Sequence, residues 1–75
     1  MKFEIGDLLI RTDKTLHGVP TTSINVITET GVKYNSKYCV HTKDFTSNKL
    51  GKHYTDWLVG DIGIGTIKHY PVVKQ

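Results

Sequence analysis

Thr21-Thr22-Ser23-Ile24-Asn25-Val26-Ile27-Thr28-Glu29-Thr30 is the stretch that decides the fold class, because it is β-branched almost throughout. Branching at Cβ restricts χ1 in a helix but packs well on a pleated surface, so this run reads as a strand. Within it Ile24 and Val26 alternate with Asn25 and Ile27, at the two-residue period of a sheet. Glu29-Thr30-Gly31 then reads as a hairpin turn, the glycine being free to take positive φ, and Val32-Lys33-Tyr34 begins the return strand. Tyr38-Cys39-Val40-His41-Thr42 follows. It is either the same strand after a bulge or a separate one joined at Asn35-Ser36-Lys37.

Upstream, Phe3 and Ile5 alternate with Lys2 and Glu4, Gly6-Asp7 breaks the alternation, and Leu8-Leu9-Ile10 resumes it as a second strand piece. Asp13 to Pro20 is polar, with Gly18 and Pro20 as breakers, and reads as a loop. Downstream the pattern weakens from Lys43 to Lys52. Thr42 there caps a short helical turn over Lys43-Asp44-Phe45, or the segment is a plain loop. Tyr54 to Val59 reads as a short strand with Trp57 in the core; the alternative phase points Tyr54 and Leu58 inward. Gly60-Asp61-Ile62-Gly63-Ile64-Gly65-Thr66-Ile67 reads as a strand approached closely by another backbone. Lys68-His69-Tyr70 extends it, Pro71 ends it, and Val72-Val73 adds a terminal edge strand.

Composition agrees with strands. The 75 residues include ten threonines and four tyrosines but no alanine, so summed propensity disfavours helix. The length holds one domain, residues 1–75, with a thin core. The expected fold is mainly β: a small barrel of five to six short strands with at most one short helical turn. Closure is expected because it removes edges that so small a chain has little means of protecting.

The single cysteine, Cys39, excludes an internal disulfide and suits a reducing compartment. No run approaches the roughly 20 apolar residues of a membrane span. Glu4 and Asp7 stand where a secretory leader would carry its apolar stretch, so a cytoplasmic protein is expected. The formal charge of +3 permits a polyanionic partner without demanding one.

Phe3-Glu4-Ile5-Gly6-Asp7-Leu8-Leu9-Ile10-Arg11 resembles the first strand of SH3-like small barrels, including KOW-type and Tudor-type domains. Ile24-Asn25-Val26-Ile27 and Tyr38-Cys39-Val40 resemble their second and third strands. The resemblance covers about the first forty residues, and the Gly63-Ile64-Gly65 run departs from it. It implies a barrel that binds RNA, DNA or short protein segments through loops and exposed aromatics. In size and composition the chain is also similar to small accessory proteins of bacteriophages, which implies the host cytoplasm.

Catalytic and metal chemistry find little support. Cys39, His41, His53 and His69 lack the paired spacing that nucleates a zinc site. Cys39 with a histidine lacks an orienting group and a cleft. Gly60-x-x-Gly63-x-Gly65 leads into a strand-like run rather than the helix that a phosphate loop requires. No enzyme, metal or cofactor is therefore expected. The functional signal is basic and aromatic interleaving: Lys33, Tyr34, Lys37, Tyr38, His41, Lys43, Lys49, Lys52, His53, Tyr54 and Trp57.

Lysines with flat rings suit nucleic acid, although Arg11 is the sole arginine. Tyrosine and tryptophan equally dominate protein interfaces. The long loop from Thr12 to Thr22 offers Leu16, His17 and Val19 as further contacts. The first expectation is a non-catalytic module that binds another protein, one in a nucleic-acid-processing assembly. Direct DNA or RNA binding is the alternative, and a structural or self-assembling role through Val72-Val73 is a second.

Overall fold

The computed structural model describes residues 2–14 and 17–73, with the side chain of Lys14 left aside. The fold is mainly β, an antiparallel five-stranded sheet with one helix. Its elements are β1 (Leu8–Lys14), β2 (Pro20–Tyr34), β3 (Lys37–Asp44), β4 (Leu50–Tyr54), α1 (Thr55–Ile64) and β5 (Ile67–Tyr70), and the strand order is β4-β3-β2-β1-β5. The first four strands form a meander, and α1 carries the chain across to the far edge, where β5 pairs with β1.

The barrel does not close. Among the described residues β4 pairs only with β3 and β5 only with β1. The helix lies between those edges, packed against β3, β4 and β5, so helical side chains rather than a sixth strand cover the opening.

β2 is the spine of the sheet. It runs unbroken for 15 residues, so Glu29-Thr30-Gly31 is not the expected turn. Pairing with β3 instead shifts register twice, between Ile27 and Glu29 and again between Glu29 and Val32, each time leaving one extra residue on β2. These are bulges, which bend a strand and increase its twist. Gly31, at φ +69°, supplies the left-handed residue in the second. The true hairpin turn is Asn35-Ser36, with φ of 49° and 64°. Two successive left-handed residues match the right-handed twist of the flanking strands. The reading that splits two strands at Asn35-Ser36-Lys37 is therefore the right one, and Lys33 and Tyr34 end β2.

Other boundaries move for local reasons. Phe3 is buried but Ile5 is exposed, because residues 2–7 are not a strand and the chain turns at Ile5-Gly6. The Gly6 amide donates to the Ile27 carbonyl there, over 2.8 Å. The expected loop from Asp13 to Pro20 is narrower at both ends, since Asp13 pairs with Thr21 and Lys14 with Pro20. Between β3 and β4, Asp44 rather than Thr42 organises the turn. Its Oδ1 accepts from the amides of Thr46 at 2.8 Å and Ser47 at 2.9 Å. Residues 71–73 are not a strand, so the expected edge at Val72-Val73 does not form.

The main correction is α1. Most of the expected strand from Tyr54 to Val59 and of the glycine-spaced strand after it is one ten-residue helix; Tyr54 ends β4, and Ile67 to Tyr70 form β5 as a strand. Leu58 and Ile62 lie one turn apart and both pack on the core, the period that selects a helix here. The helix ends in a Schellman motif: Gly65 is left-handed at φ +89°, its amide donates to Ile62, and the Thr66 amide donates to Asp61. The core comprises Phe3, Leu9, Ile27, Val40, Leu58 and Ile67. Leu58 is 1% exposed, whereas Trp57 is 69% exposed, so the tryptophan does not anchor the core.

Candidate functional site

The register fixes which candidate side chains share a face. In β3, Val40 and Thr42 point to the core, so Cys39 and His41 point outward. Cys39 pairs with Val32 on one side and Tyr54 on the other, while His41 pairs with Lys52. Tyr34 and Lys37 flank the hairpin turn as partners. The outer face thus gathers Tyr34, Lys37, Lys52 and Tyr54 near the hairpin, and Trp57 joins them from the first turn of α1.

The contacts make this a built cluster. The Tyr34 and Tyr54 rings lie 6.5 Å apart, and Tyr54 meets Trp57 edge-on at 5.7 Å. Lys52 Nζ sits 3.8 Å above the Tyr34 ring and Lys37 Nζ lies 5.8 Å from the Tyr54 ring, both as cation–π contacts. Cys39, between Val32 and Tyr54 in register, is fully buried, and its Sγ donates weakly to the Lys37 carbonyl at 3.9 Å. Part of this cluster is therefore a small satellite core closing the hairpin. The exposure of Trp57 goes beyond what that packing uses.

Beside the cluster a cavity of about 340 Å³ is lined by Thr28, His41, Thr42, Leu50, Gly51 and Lys52. His41 Nδ1 lies 3.1 Å from Glu29 Oε2, while its Nε2 is buried without a hydrogen-bond partner. Leu50 is among the most exposed apolar side chains of the described residues.

The remaining candidates fall elsewhere. Lys33 pairs with Tyr38 on the opposite face of the hairpin, where Tyr38 stands exposed. Lys43, paired with Leu50, is exposed near the far end of β3. Lys49 and His53 line a second cavity on the concave face. Burial, and after it the Arg11 cation, hold His53 below its ordinary pKa, against a weaker upward pull from Asp61. His17 and Val19 are exposed in the β1–β2 connection, and Leu16 lies outside the described residues. The putting together of Cys39, His41, His53 and His69 that a metal would need does not occur: no group of three or more ligating side chains is found among the described residues. Nor is any helix there long and apolar enough to cross a membrane.

The concave cavity was not legible in the sequence. Its polar strand members, Arg11, Ser23, Asn25, Thr42, Asp44 and His53, stand on four strands, and only cross-strand register brings them together. The chain matches no protein-family model, no curated protein and no solved structure.

Proposed function

We propose that this chain is a non-catalytic module that binds another protein through the Tyr34, Tyr54 and Trp57 cluster. The observation that carries the reading is Trp57: a wide, rigid ring, left exposed on a helix and braced edge-on by Tyr54. Aromatic anchors of this kind concentrate binding energy in protein interfaces, with little conformational entropy to lose. The neighbouring cavity beside His41 and Lys52, with exposed Leu50 at its edge, offers a partner an apolar recess.

The same geometry weighs against base stacking at this place. Lys52 already occupies a face of Tyr34, and Lys37 lies toward Tyr54, so the rings and ammonium groups satisfy one another. Direct nucleic-acid binding, favoured by the exposed lysines at positions 43, 49 and 52, remains the second reading. The SH3-like likeness belongs to this proposal too, supported by a four-strand meander whose fifth strand returns to the first. So does the role of a cytoplasmic accessory protein in the style of those of bacteriophages.

Affinity capture from cell extract, with and without nuclease, tests the reading against Trp57→Ala. A protein retained after nuclease and lost with Trp57→Ala supports it. Retention that needs intact nucleic acid and disappears in Lys49→Glu/Lys52→Glu replaces it with direct nucleic-acid binding.

A further inference from the structure

The concave side of the sheet has an apolar end and a polar end. At the polar end a cavity of about 210 Å³ opens between β1, β2, β3 and β4, with Leu9, Leu58 and Ile67 as its apolar floor. Thr42 lines it while being only 1% exposed, and its Oγ1 has no hydrogen-bond partner. Arg11 Nε is likewise buried without one: Asp13 Oδ1 lies 3.7 Å away, and Asp61 Oδ2 is 3.9 Å from the guanidinium Nη2, both beyond hydrogen-bond length. Buried polar groups are nearly always paired, so two orphans on residues that line one cavity call for an occupant. Gly51 keeps that space open. A Cβ there would stand 2.8 Å from Thr42 Oγ1 and 3.4 Å from His53 Nε2.

The orphans define the occupant. A guanidinium N–H only donates, so the ligand atom facing Arg11 must accept. Thr42 can donate as well, and Lys49 adds a cation at the rim. Asp44, ionised and held by two backbone amides with Lys49 close by, opposes an anion, and the ligand's carboxylate competes for Arg11 with Asp13 and Asp61. A dry cavity of about 150 Å³ holds benzene, so at the same share per atom this one takes roughly eight non-hydrogen atoms. We propose that the cavity binds a small carboxylate with an apolar body, the carboxylate received by Arg11 and Thr42 and the hydrocarbon laid on Leu9, Leu58 and Ile67. Arg11 and the apolar floor stand apart from the aromatic cluster, whereas Thr42, Leu50 and Gly51 also line the cavity beside His41.

Benzoate is a fitting probe. Titrating it into the full-length, ¹⁵N-labelled protein at constant ionic strength is expected to move the Arg11 Nε–H and the Thr42 and Gly51 amide signals saturably. Arg11→Gln is expected to weaken binding roughly tenfold to a hundredfold, the usual weight of a charge-assisted hydrogen bond. Thr42→Val, which removes the orphan without changing shape, is expected to weaken it several-fold while the spectrum stays folded. Benzamide tests the charge and inorganic phosphate tests the apolar body; either one binding as well as benzoate overturns the assignment. So do shifts that only track salt, binding unchanged in Arg11→Gln, or a spectrum that benzoate leaves untouched, which would mean that water alone fills the cavity.

Discussion

His69 Nε2 donates to Asp7 Oδ2 over 2.7 Å, joining residues 62 positions apart where both side chains are nearly inaccessible to water. Asp7 also accepts from the amides of Val72 at 2.8 Å and Glu4 at 3.0 Å. One carboxylate thus ties the opening turn, β5 and the segment after Pro71 to a single point. Phe3 stacks at a tilt on His69, with ring centroids 5.0 Å apart, and closes the site from the core side.

Burial pushes the Asp7 carboxyl up, but the Val72 amide, the His69 side chain and the Glu4 amide outweigh it, and the pKa lies below its ordinary value of 3.8. A carboxyl lowered on folding stabilises the native state fully above its unfolded pKa, and that share is lost as pH falls through the folded value. Asp7 therefore contributes to acid unfolding below about pH 4. Asp7→Asn presents a donor where one acceptor stood and is expected to cost about 2–3 kcal/mol at neutral pH. Urea unfolding at pH 7 and pH 3 checks both: the gap between wild type and variant should narrow in acid. A constant gap would assign the loss to packing alone.

Trp57 and Leu58 are adjacent yet fare oppositely. Leu58→Ala empties a fully buried site beneath α1 and is expected to cost about 2–5 kcal/mol. Trp57→Ala removes an exposed ring and is expected to cost less than about 1 kcal/mol. Thermal unfolding of the two variants distinguishes this helix from the strand reading with Trp57 in the core, which demands the reverse order.

That inversion shows where the sequence was opaque. β2 and β3 were legible, because β-branched residues at a two-residue period have few other uses. The glycines at 60, 63 and 65 with isoleucines between them fit a strand pattern equally well, and low helix propensity favoured it. Tertiary packing of Leu58 and Ile62 decides the matter, and local propensity carries no trace of it. Five of the interleaved candidates do meet in one cluster. The other six do not: the turn at Asn35-Ser36 sets Lys33 and Tyr38 on the opposite face, His41 lies along β3 beside the neighbouring cavity, Lys43 stands at the far end of β3, and Lys49 and His53 line the concave cavity.

The hairpin turn offers a gain in stability. Ser36 holds φ +64° next to Asn35 at +49°, and a left-handed backbone costs a side chain roughly 1 kcal/mol that glycine avoids. Asn-Gly is the favoured pair for such a two-residue turn. Ser36→Gly is expected to stabilise the protein by about 0.5–1 kcal/mol, less the extra entropy of an unfolded glycine. A higher urea midpoint at unchanged slope checks it, and a lower midpoint would show that the Ser36 side chain contributes more than the turn strains.

His53 gives the molecule a second pH dependence, above that of Asp7. Burial and the Arg11 cation hold its pKa below the usual 6.5, so the folded state prefers the neutral ring. A proton taken up more readily by the unfolded chain than by the folded one destabilises the fold as pH falls. Stability from this group is therefore complete above about pH 6.5 and declines below it, until the folded ring itself is protonated. His53→Gln removes the titration while keeping a polar side chain on the concave face. The wild-type melting temperature is expected to drop more than the variant's between pH 7.5 and pH 5.5, the remaining histidines cancelling in the comparison. Parallel curves would mean that His53 charges as freely in the fold as in water, and that the wall it shares with Arg11 and Thr42 is wetter than its packing implies.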